Sequence, residues 1–321
     1  MNQSLRKANP IQETICGFAP ATIANVNVGF DVLGISLSSV GDRVEVTPNG
    51  GSGENKITFI ESATPLPYAA EKNSCTVVIS AMQAQLENPL YVDVRIRKGF
   101  ASGSGLGSSS ASSAAAAFAY NTLMGNPFTL EELLPFAAEG ERAACGSAHY
   151  DNVSPAILGG IVLLYQNKPI RLPLPKGLHA VSFFPNIEVN TASARSIVSR
   201  HVSLDIVSKQ VSAMGAFVSG LYQEDYELLR KAAKDFLVEP SRKILIPYFD
   251  EMKEATLSVG GITFGISGSG PSVFALAESR IVAERILTEL HKIYAGQGIE
   301  TLSFIEDLAN GKGCRLSQFD E

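Results

Sequence analysis

Residues 101–117 have the sequence A-S-G-S-G-L-G-S-S-S-A-S-S-A-A-A-A, and they indicate more of the architecture than any other segment. Gly103, Gly105 and Gly107 lack a β-carbon, so the backbone there can take positive φ and approach a ligand closely. The serines at 108–110 stand where a helix would begin, and the alanines after them are strong helix formers. A helix N-terminus presents unpaired N–H groups and the positive end of the helix dipole, a combination that commonly binds phosphate. The segment therefore predicts a phosphate-binding loop followed by a helix that ends near residue 124.

Two common phosphate motifs do not fit this segment, and a flexible linker is the alternative. It lacks the G-K-[S/T] ending of the Walker A motif and the G-x-G-x-x-G spacing of dinucleotide-binding turns. Glycine and serine stretches also form ordinary linkers. The phosphate loop is favoured because an alternating strand pattern at residues 91–97 precedes it and an alanine-rich helix follows it.

Length, composition and charge describe a globular chain without an affinity for polyanions. The 321 residues are enough for one large or two ordinary domains, and 45% hydrophobic with 18% charged residues is typical of soluble proteins. The net charge of −6 gives no general attraction to nucleic acid or anionic membranes, so neither is an expected partner. The longest apolar run, residues 156–165, is too short to cross a bilayer, and residues 1–10 lack the apolar core of a signal peptide.

The cysteines indicate a reducing compartment. Cys16, Cys75, Cys145 and Cys314 lie far apart, with no C-x-x-C pair or other zinc spacing. We expect them to be buried, reduced thiols and the protein to be cytoplasmic.

Strand and helix patterns alternate irregularly, which predicts an α+β fold. Strands are expected at residues 14–18, 42–47, 56–61, 91–97, 159–165, 178–185, 261–267, 272–277 and 300–305. Helices are expected from residue 73 or 74 to 86, from the phosphate loop to 124, from a Thr129–Glu132 capping box to 144, across 208–254, and from 280 to 294. The segment 166–176 contains proline and lysine and is the best boundary, so we expect domains at 1–170 and 171–321.

Two further segments collect polar side chains that could bind a ligand. Residues 19–34, A-P-A-T-I-A-N-V-N-V-G-F-D-V-L-G, place Asn25 and Asp31 around a glycine-containing turn, and a loop held by Asx turns is an equally good interpretation. Residues 140–152, G-E-R-A-A-C-G-S-A-H-Y-D-N, bring Glu141, His149 and Asn152 together after a helix end. Each of these side chains taken alone is more often structural than functional.

Two shorter segments complete the set. Residues 191–195, T-A-S-A-R, put an arginine in a polar segment after a strand, where arginines are usually solvated. Residues 265–273, G-I-S-G-S-G-P-S-V, form a second glycine–serine turn between apolar strands, and a tight hairpin is its simplest interpretation.

Taken together and in this order, the glycine-bearing segments resemble the three motifs of the GHMP kinase superfamily, which comprises galactokinase, homoserine kinase, mevalonate kinase and phosphomevalonate kinase. The central loop is similar to its P-x-x-x-G-L-G-S-S-A signature. More narrowly, residues 19–34 and the segment S-A-H-Y-D-N-V-S-P-A-I-L-G-G at 147–160 resemble the homoserine kinases. The resemblance covers residues 14 to about 305.

The resemblance implies a fold, an activity and a set of ligands. The fold would be the two-domain α+β GHMP kinase fold, with an N-terminal domain like domain 2 of ribosomal protein S5 and a ferredoxin-like C-terminal domain. The activity would be ATP:L-homoserine O-phosphotransferase, a step of threonine biosynthesis, with ATP and Mg²⁺ as cofactors and L-homoserine as substrate. A homodimer is compatible with the resemblance, which leaves the oligomeric state and feedback control by threonine open. The alternatives are a GHMP kinase for another small alcohol, and a nucleotide-binding regulatory protein without catalysis.

The resemblance also assigns roles to positions of this chain. The nucleotide loop, with phosphate oxygens on the amides of residues 104–109, comprises Ala101, Ser102, Gly103, Ser104, Gly105, Leu106, Gly107, Ser108, Ser109, Ser110 and Ala111. Asn73 matches a position near the adenine, and Mg²⁺ would be held by Glu141 with Ser109 or Ser108. The substrate positions are Asn25, Asp31, His149, Asn152, Thr191, Arg195 and Arg242. Of all these residues, the catalytic set is Glu141, Asn152, His149 and Asp31.

Side-chain chemistry agrees with these roles. Arg195 and Arg242 suit the carboxylate of homoserine, and Asp31 suits its ammonium group. Two departures are notable: Ala101 replaces the usual proline, and residues 16–34 lack the lysine of mevalonate-type relatives. Whether Asp151 acts as a general base is open.

Overall fold

The structure contains two mainly antiparallel sheets with helices packed on them. It is a computed structural model that describes residues 5–51, 53–187, 189 and 191–320, without the side chains of 191–193. The strands are β1 (Ile15–Ala24), β2 (Leu33–Pro48), β3 (Lys56–Glu61), β4 (Val92–Arg97), β5 (Ile161–Tyr165), β6 (Lys168–Leu172), β7 (His179–Pro185), β8 (Thr263–Ile266), β9 (Val273–Ala277), β10 (Thr301–Asp307) and β11 (Arg315–Leu316). The helices are α1 (Ser74–Gln83), α2 (Ser108–Leu123), α3 (Leu134–Cys145), α4 (Tyr150–Leu158), α5 (Thr191–Ser196), α6 (Leu204–Gln223), α7 (Tyr226–Ala232), α8 (Glu239–Arg242), α9 (Phe249–Ser258) and α10 (Arg280–Tyr294). Short 3₁₀ turns occur at Glu131–Leu133, Lys243–Leu245 and Leu308–Asn310.

The strands separate into two sheets along the chain. The first has the order β11-β1-β2-β4-β3, with β5 on β2 and β6 on β5, and the second has the order β10-β7-β9-β8. Among these pairs only β3 and β4 run parallel within the described residues. The predicted α+β class is confirmed. The domain boundary at residue 170 stays a prediction; the strand that crosses it, β6, pairs with β5 in the first sheet.

Helix α2 lies at the centre of the first domain. Its alanines at 114–117 and 119 are fully buried, and it packs against β1, β2, α1 and α3. The approach to β1 is so close that a β-carbon at Gly17 would lie 2.7 Å from the carbonyl oxygen of Ala115. Small side chains on both partners therefore let the helix pack closely against the sheet.

The structure corrects several expectations from the sequence. Strand β2 begins at Leu33 instead of 42, because it pairs with β5 as well as with β1 and β4. Helix α4 was not expected, since Pro155 lies inside it and its first turn is polar. Strand β6 contains Pro169 and is paired only with β5 among the described strands, which is the edge position that tolerates proline.

The expectation that all cysteines are buried is wrong for one of them. Cys16 and Cys75 are buried and Cys314 is half-buried, but Cys145 is exposed at the end of α3. None of them forms a disulfide within the part of the chain that the structure describes. Among the described residues, no helix is both long and apolar enough to cross a membrane.

Candidate active site

A cavity of about 350 Å³ lies between the phosphate loop, the α3–α4 junction and helix α5. It collects side chains and glycines that the sequence singled out from six separate segments. These predicted residues line it: Asn25, Asp31, Asn73, Ser102, Gly103, Gly105, Gly107, Ser108, Ser109, Glu141, His149, Asp151, Asn152, Arg195 and Arg242. Leu106 and Ala111 lie instead in the hydrophobic core beneath the loop, and Ser104 is buried.

The phosphate loop has the backbone that its glycines predict. Gly103, Gly105 and Gly107 have φ of 78°, 83° and 70°, and Gly107 is the N-cap of α2. A β-carbon at Gly105 would lie 2.7 Å from the carbonyl oxygens of Ser267 and Gly270. Only glycine satisfies both demands at position 105, so the loop can pack closely against residues 267–270.

The second glycine–serine turn packs against this loop. The amide of Ser272 donates to the carbonyl of Ser104 at 3.0 Å, and the hydroxyl of Ser267 donates to the carbonyl of Gly105 at 2.8 Å. Residues 267–272 are therefore more than a hairpin between β8 and β9, because they brace the phosphate loop from the second domain.

Glu141 is the buried carboxylate at the centre of the cavity wall. Its Oε2 accepts hydrogen bonds from the hydroxyls of Ser109, at 2.9 Å, and Ser110, at 2.6 Å, in the first turn of α2. The residue is only 3% exposed. Ser108, beside it, has a buried hydroxyl without a hydrogen-bond partner among the described residues. A negative charge and several hydroxyl oxygens thus meet at a helix N-terminus.

His149 connects this carboxylate to an arginine. Its Nδ1 lies 2.9 Å from Glu141 Oε1, and its Nε2 lies 3.0 Å from Nη1 of Arg195. Since a guanidinium can only donate, we assign the neutral tautomer in which Nδ1–H donates to Glu141 and Nε2 accepts from Arg195. The hydrogen bond to Glu141 raises the pKa of His149, and burial opposes part of that increase.

Arg195 also pairs with Asp31, and this second contact joins helix α5 to the turn after β1. The Nη2 to Oδ2 distance is 2.5 Å, and both side chains are 44% exposed. Asn25 Oδ1 accepts from the amide of Asp31 at 3.0 Å, while its Nδ2 donates to the carbonyl of Gly268 at 3.1 Å. Both Asn25 and Asp31 have positive φ. The Asx interaction that the sequence suggested therefore exists, and it holds Asp31 at the cavity.

Arg242 is a buried cation that also lines the cavity. It is 4% exposed, and its Nε and Nη1 donate to the carbonyls of Ala194 and Gly268, each at 2.8 Å. Its guanidinium lies over the ring of Phe30, 5.5 Å from the centroid. Burial lowers its pKa, and the charge of Asp31 partly restores it. These contacts hold the guanidinium rigidly beside the Asp31–Arg195 pair.

Asp151 is buried in the first turn of α4, next to the substrate positions. Burial is the main cause that raises its pKa from 3.8 to about 7, and the negative charge of Asp31 adds to the increase. A large fraction of this carboxyl is therefore protonated near neutral pH.

The remaining predicted residues have other partners. The hydroxyl of Thr22 in β1 donates to Asn152 Oδ1 at 2.8 Å. A β-carbon at Gly107 would lie 2.7 Å from the same oxygen, so Asn152 lies against the phosphate loop. Asn73 caps α1, since its Oδ1 accepts from the amide of Cys75, and its Nδ2 donates to the carbonyl of Pro67. The side chain of Thr191 lies outside the described residues.

Lys98 lines the cavity directly before the loop, although the sequence motifs did not predict it as a site residue. The alternation of buried and less buried residues along β4 could have indicated Lys98. Val92, Val94 and Ile96 are buried, and a period of two puts Lys98 in the same inward phase. Cys145 was also missed as a cavity residue; its Sγ lies 3.2 Å from the hydroxyl of Ser109.

Comparisons with known proteins identify the family of this chain. The model of the GHMP kinases N terminal domain matches residues 73–160, and that of the GHMP kinases C terminal domain matches 217–296. A homoserine kinase of Chlorobium phaeobacteroides (strain BS1) is 42% identical over 288 residues, which cover 85% of this chain and 90% of that protein. The chain belongs to the homoserine kinase family of the GHMP kinases.

Solved structures of this family and its relatives support the fold. The homoserine kinase of Cytophaga hutchinsonii has a TM-score of 0.92 and 38% identity, with 96% of this chain and 99% of that one covered. The L. major mevalonate kinase in complex with R-mevalonate has 14% identity and a TM-score of 0.69, with 94% of this chain and 99% of that one covered, and it shows the shared fold alone. The expected two-domain GHMP kinase fold is confirmed, and ATP is the phosphate donor of the family.

Proposed function

We propose that this cavity transfers the γ-phosphoryl group of ATP to the side-chain hydroxyl of L-homoserine. The observation that carries the proposal is a cavity with two chemically different ends. One end has the phosphate loop, the N-terminus of α2 and Glu141; the other has Asp31, Arg195 and Arg242. The first end suits a triphosphate, the second suits an amino acid, and family membership supports the same pair of substrates.

The phosphate end stabilises negative charge with backbone groups. The amides of the first turn of α2 have no acceptor within the helix, and Ser108 and Ser109 of that turn line the cavity at the positive end of the helix dipole. The glycine conformations at 103, 105 and 107 hold this arrangement before ATP binds. Donors that are already oriented need no reorganisation as charge redistributes in the transition state.

The residues present fit a magnesium ion. Glu141 supplies one anionic oxygen, and Ser109 supplies a hydroxyl oxygen 2.9 Å away, with Ser108 as a second candidate hydroxyl. Among the described side chains, no cluster of three or more histidines, cysteines, aspartates or glutamates is built to hold a metal. Magnesium does not need one, because it binds through one or two carboxylates plus phosphates and waters. The ion would neutralise negative charge on the phosphates of ATP.

The amino-acid end can bind a zwitterion when the Asp31–Arg195 pair separates and each side chain pairs with a charge of the substrate. The Asp31–Arg195 pair is half-exposed, so separating the two charges costs little. The substrate carboxylate would then bind Arg195 and Arg242, and its ammonium group would bind Asp31. Three ion pairs would replace one, and the buried Arg242 would fix where the carboxylate lies.

Asn152 and His149 would orient the hydroxyl that receives the phosphoryl group. Asn152 lies between the phosphate loop and the substrate residues, and His149 lies between Glu141 and Arg195. Phosphoryl transfer has a loose transition state in most analyses, so alignment and charge neutralisation provide most of the catalysis. The side chains of this cavity provide both.

A direct test uses the purified protein with ATP, MgCl₂ and L-homoserine. We expect a product with the mass of homoserine plus one phosphoryl group, and we expect none without MgCl₂. If homoserine stays unchanged while mevalonate or galactose is phosphorylated, the substrate assignment is wrong.

Asp151→Asn tests the proton transfer and the buried carboxyl together. We expect kcat to fall by less than about 10²-fold, the low end for loss of a general base, because a loose transition state demands little early deprotonation. In the folded protein Asp151 keeps its proton up to about pH 7, whereas in the unfolded chain it loses the proton at about pH 4. The free energy of unfolding of the wild type therefore falls as pH rises through this range. The melting temperature of the variant, relative to wild type, should therefore increase from pH 5 to pH 8.

Two results would contradict this prediction. A loss of kcat of about 10³-fold or more with unchanged melting would identify Asp151 as the general base. A melting difference that stays constant between pH 5 and pH 8 would mean that Asp151 ionises normally in the folded protein.

A further inference from the structure

A buried ion pair lies directly beneath the phosphate loop, and the mechanism above does not use it. Lys98 follows β4 and Asp42 lies in β2, and Lys98 Nζ donates to Asp42 Oδ2. The side chains are 3% and 0% exposed. Replacing a buried pair by apolar residues is often neutral for stability, so stability alone does not explain its presence.

Both side chains of the pair form hydrogen bonds with the beginning of α2. Lys98 Nζ donates to the carbonyl of Ser108 at 2.6 Å and to the hydroxyl of Ser112 at 2.8 Å. Asp42 Oδ2 accepts from the same Ser112 hydroxyl at 2.6 Å. The first turn of α2, which carries the hydroxyls and amides of the phosphate site, is thereby tied to β2 and β4.

The same pair also fixes the beginning of the loop. Asp42 Oδ1 accepts from the amide of Gly99 at 3.0 Å, and a β-carbon at Gly99 would lie 2.0 Å from the carbonyl of Gly41. The side chain of Lys98 lies 5.7 Å from the ring centroid of Phe100. Both ends of the phosphate loop are thus held by one ion pair.

The orientation of the pair has an electrostatic consequence. Lys98 lines the cavity, whereas Asp42 lies behind it and is not part of the lining. A cation next to a helix N-terminus is unfavourable on its own, and Asp42 compensates for it. The positive end of the pair therefore faces the space where phosphates would lie.

We propose that Lys98 and Asp42 are a positioning pair for nucleotide phosphate: they hold the first turn of α2 and the loop start in the geometry that binds phosphate. The proposal rests on the nucleotide site of the proposed function. It predicts that loss of the pair weakens nucleotide binding and leaves the binding of homoserine unchanged, since Asp31, Arg195 and Arg242 do not contact the pair.

The experiment compares Asp42→Asn, Lys98→Met and the double variant. Each single variant leaves one buried polar partner unpaired, so we expect both to melt at lower temperature than wild type. The double variant removes both charges and should recover most of the melting temperature. Its Kd for ADP, measured by calorimetry without homoserine, should stay weakened about tenfold or more, and its KM for ATP should rise equally.

A matched control is the pair of Glu45 and Arg95, which joins the same two strands on the other face at 2.8 Å. The double variant Glu45→Gln/Arg95→Met should bind ADP like wild type. Recovery of both melting temperature and ADP affinity in the Asp42/Lys98 double variant would reduce the pair to a structural role and overturn the proposal.

If that double variant stays unstable, Lys98→Arg provides the test. It keeps the charge and should bind ADP more tightly than Lys98→Met, and equal affinities of the two variants would overturn the proposal. ADP affinity is measured without the second substrate, so these results stand even if homoserine is not the acceptor.

Discussion

Glu141→Gln should lower kcat/KM for phosphoryl transfer by about 10²–10⁴-fold while the protein keeps its fold. The substitution preserves the shape of the side chain and one acceptor oxygen for Ser109 and Ser110, but it removes the buried negative charge. Glu141 is the only anionic protein ligand that we propose for Mg²⁺. Without the metal ion, the transition state loses several kcal/mol of electrostatic stabilisation. Steady-state kinetics across a range of MgCl₂ concentrations measures the effect.

The control lies two residues away on the same helix. Glu139 is an exposed residue paired with Arg142, so Glu139→Gln should change neither rate nor magnesium dependence. Nucleotide affinity in the absence of Mg²⁺ should change little in either variant. Wild-type turnover of Glu141→Gln at limiting Mg²⁺ would show that Glu141 is not a metal ligand.

Arg195→Ala should raise the KM for homoserine by roughly ten- to a hundred-fold and leave the KM for ATP nearly unchanged. A hydrogen bond to a charged group contributes about 1.5–3 kcal/mol, and the proposed carboxylate contact is of that kind. The pair with Asp31 is half-exposed, so its loss should affect stability by about 1 kcal/mol or less. A matched control is Arg200→Ala, because Arg200 is an exposed arginine just after the same helix.

Substrate analogues sharpen this test. 3-Aminopropan-1-ol is homoserine without its carboxylate, so wild type should discriminate strongly against it and Arg195→Ala should discriminate less. 4-Hydroxybutanoic acid lacks the amino group and should be insensitive to Asp31→Asn. Equal increases in the KM values of homoserine and ATP would mean that Arg195 serves the phosphates or the fold instead.

The parts of the site that the sequence predicted well are those encoded by consecutive residues. The glycines at 103, 105 and 107 require no tertiary information, because the absence of a β-carbon at each position already permits positive φ. The capping box of Thr129 and Glu132 is a second local signal, and its reciprocal hydrogen bonds are present. It begins a 3₁₀ turn that leads into α3 instead of α3 itself.

Tertiary contacts explain what the sequence alone did not show. The partner of Lys98 is 56 residues away in β2, and no pattern around either residue indicates that they meet. Helix α4 depends on packing against β1, β2 and α2, which overrides the polar start and the proline inside it. Arg242 was assigned through the family resemblance, and only the fold shows that backbone carbonyls from two other segments hold it.

The central claim is that a single cavity binds ATP at one end and a small zwitterionic alcohol at the other. The most direct measurement is ADP release in a coupled assay, with ATP and MgCl₂ held constant and the acceptor varied among L-homoserine, 3-aminopropan-1-ol, mevalonate and galactose. We predict rapid release with L-homoserine and little above background with the other acceptors. Turnover of mevalonate or galactose without turnover of L-homoserine would contradict the account.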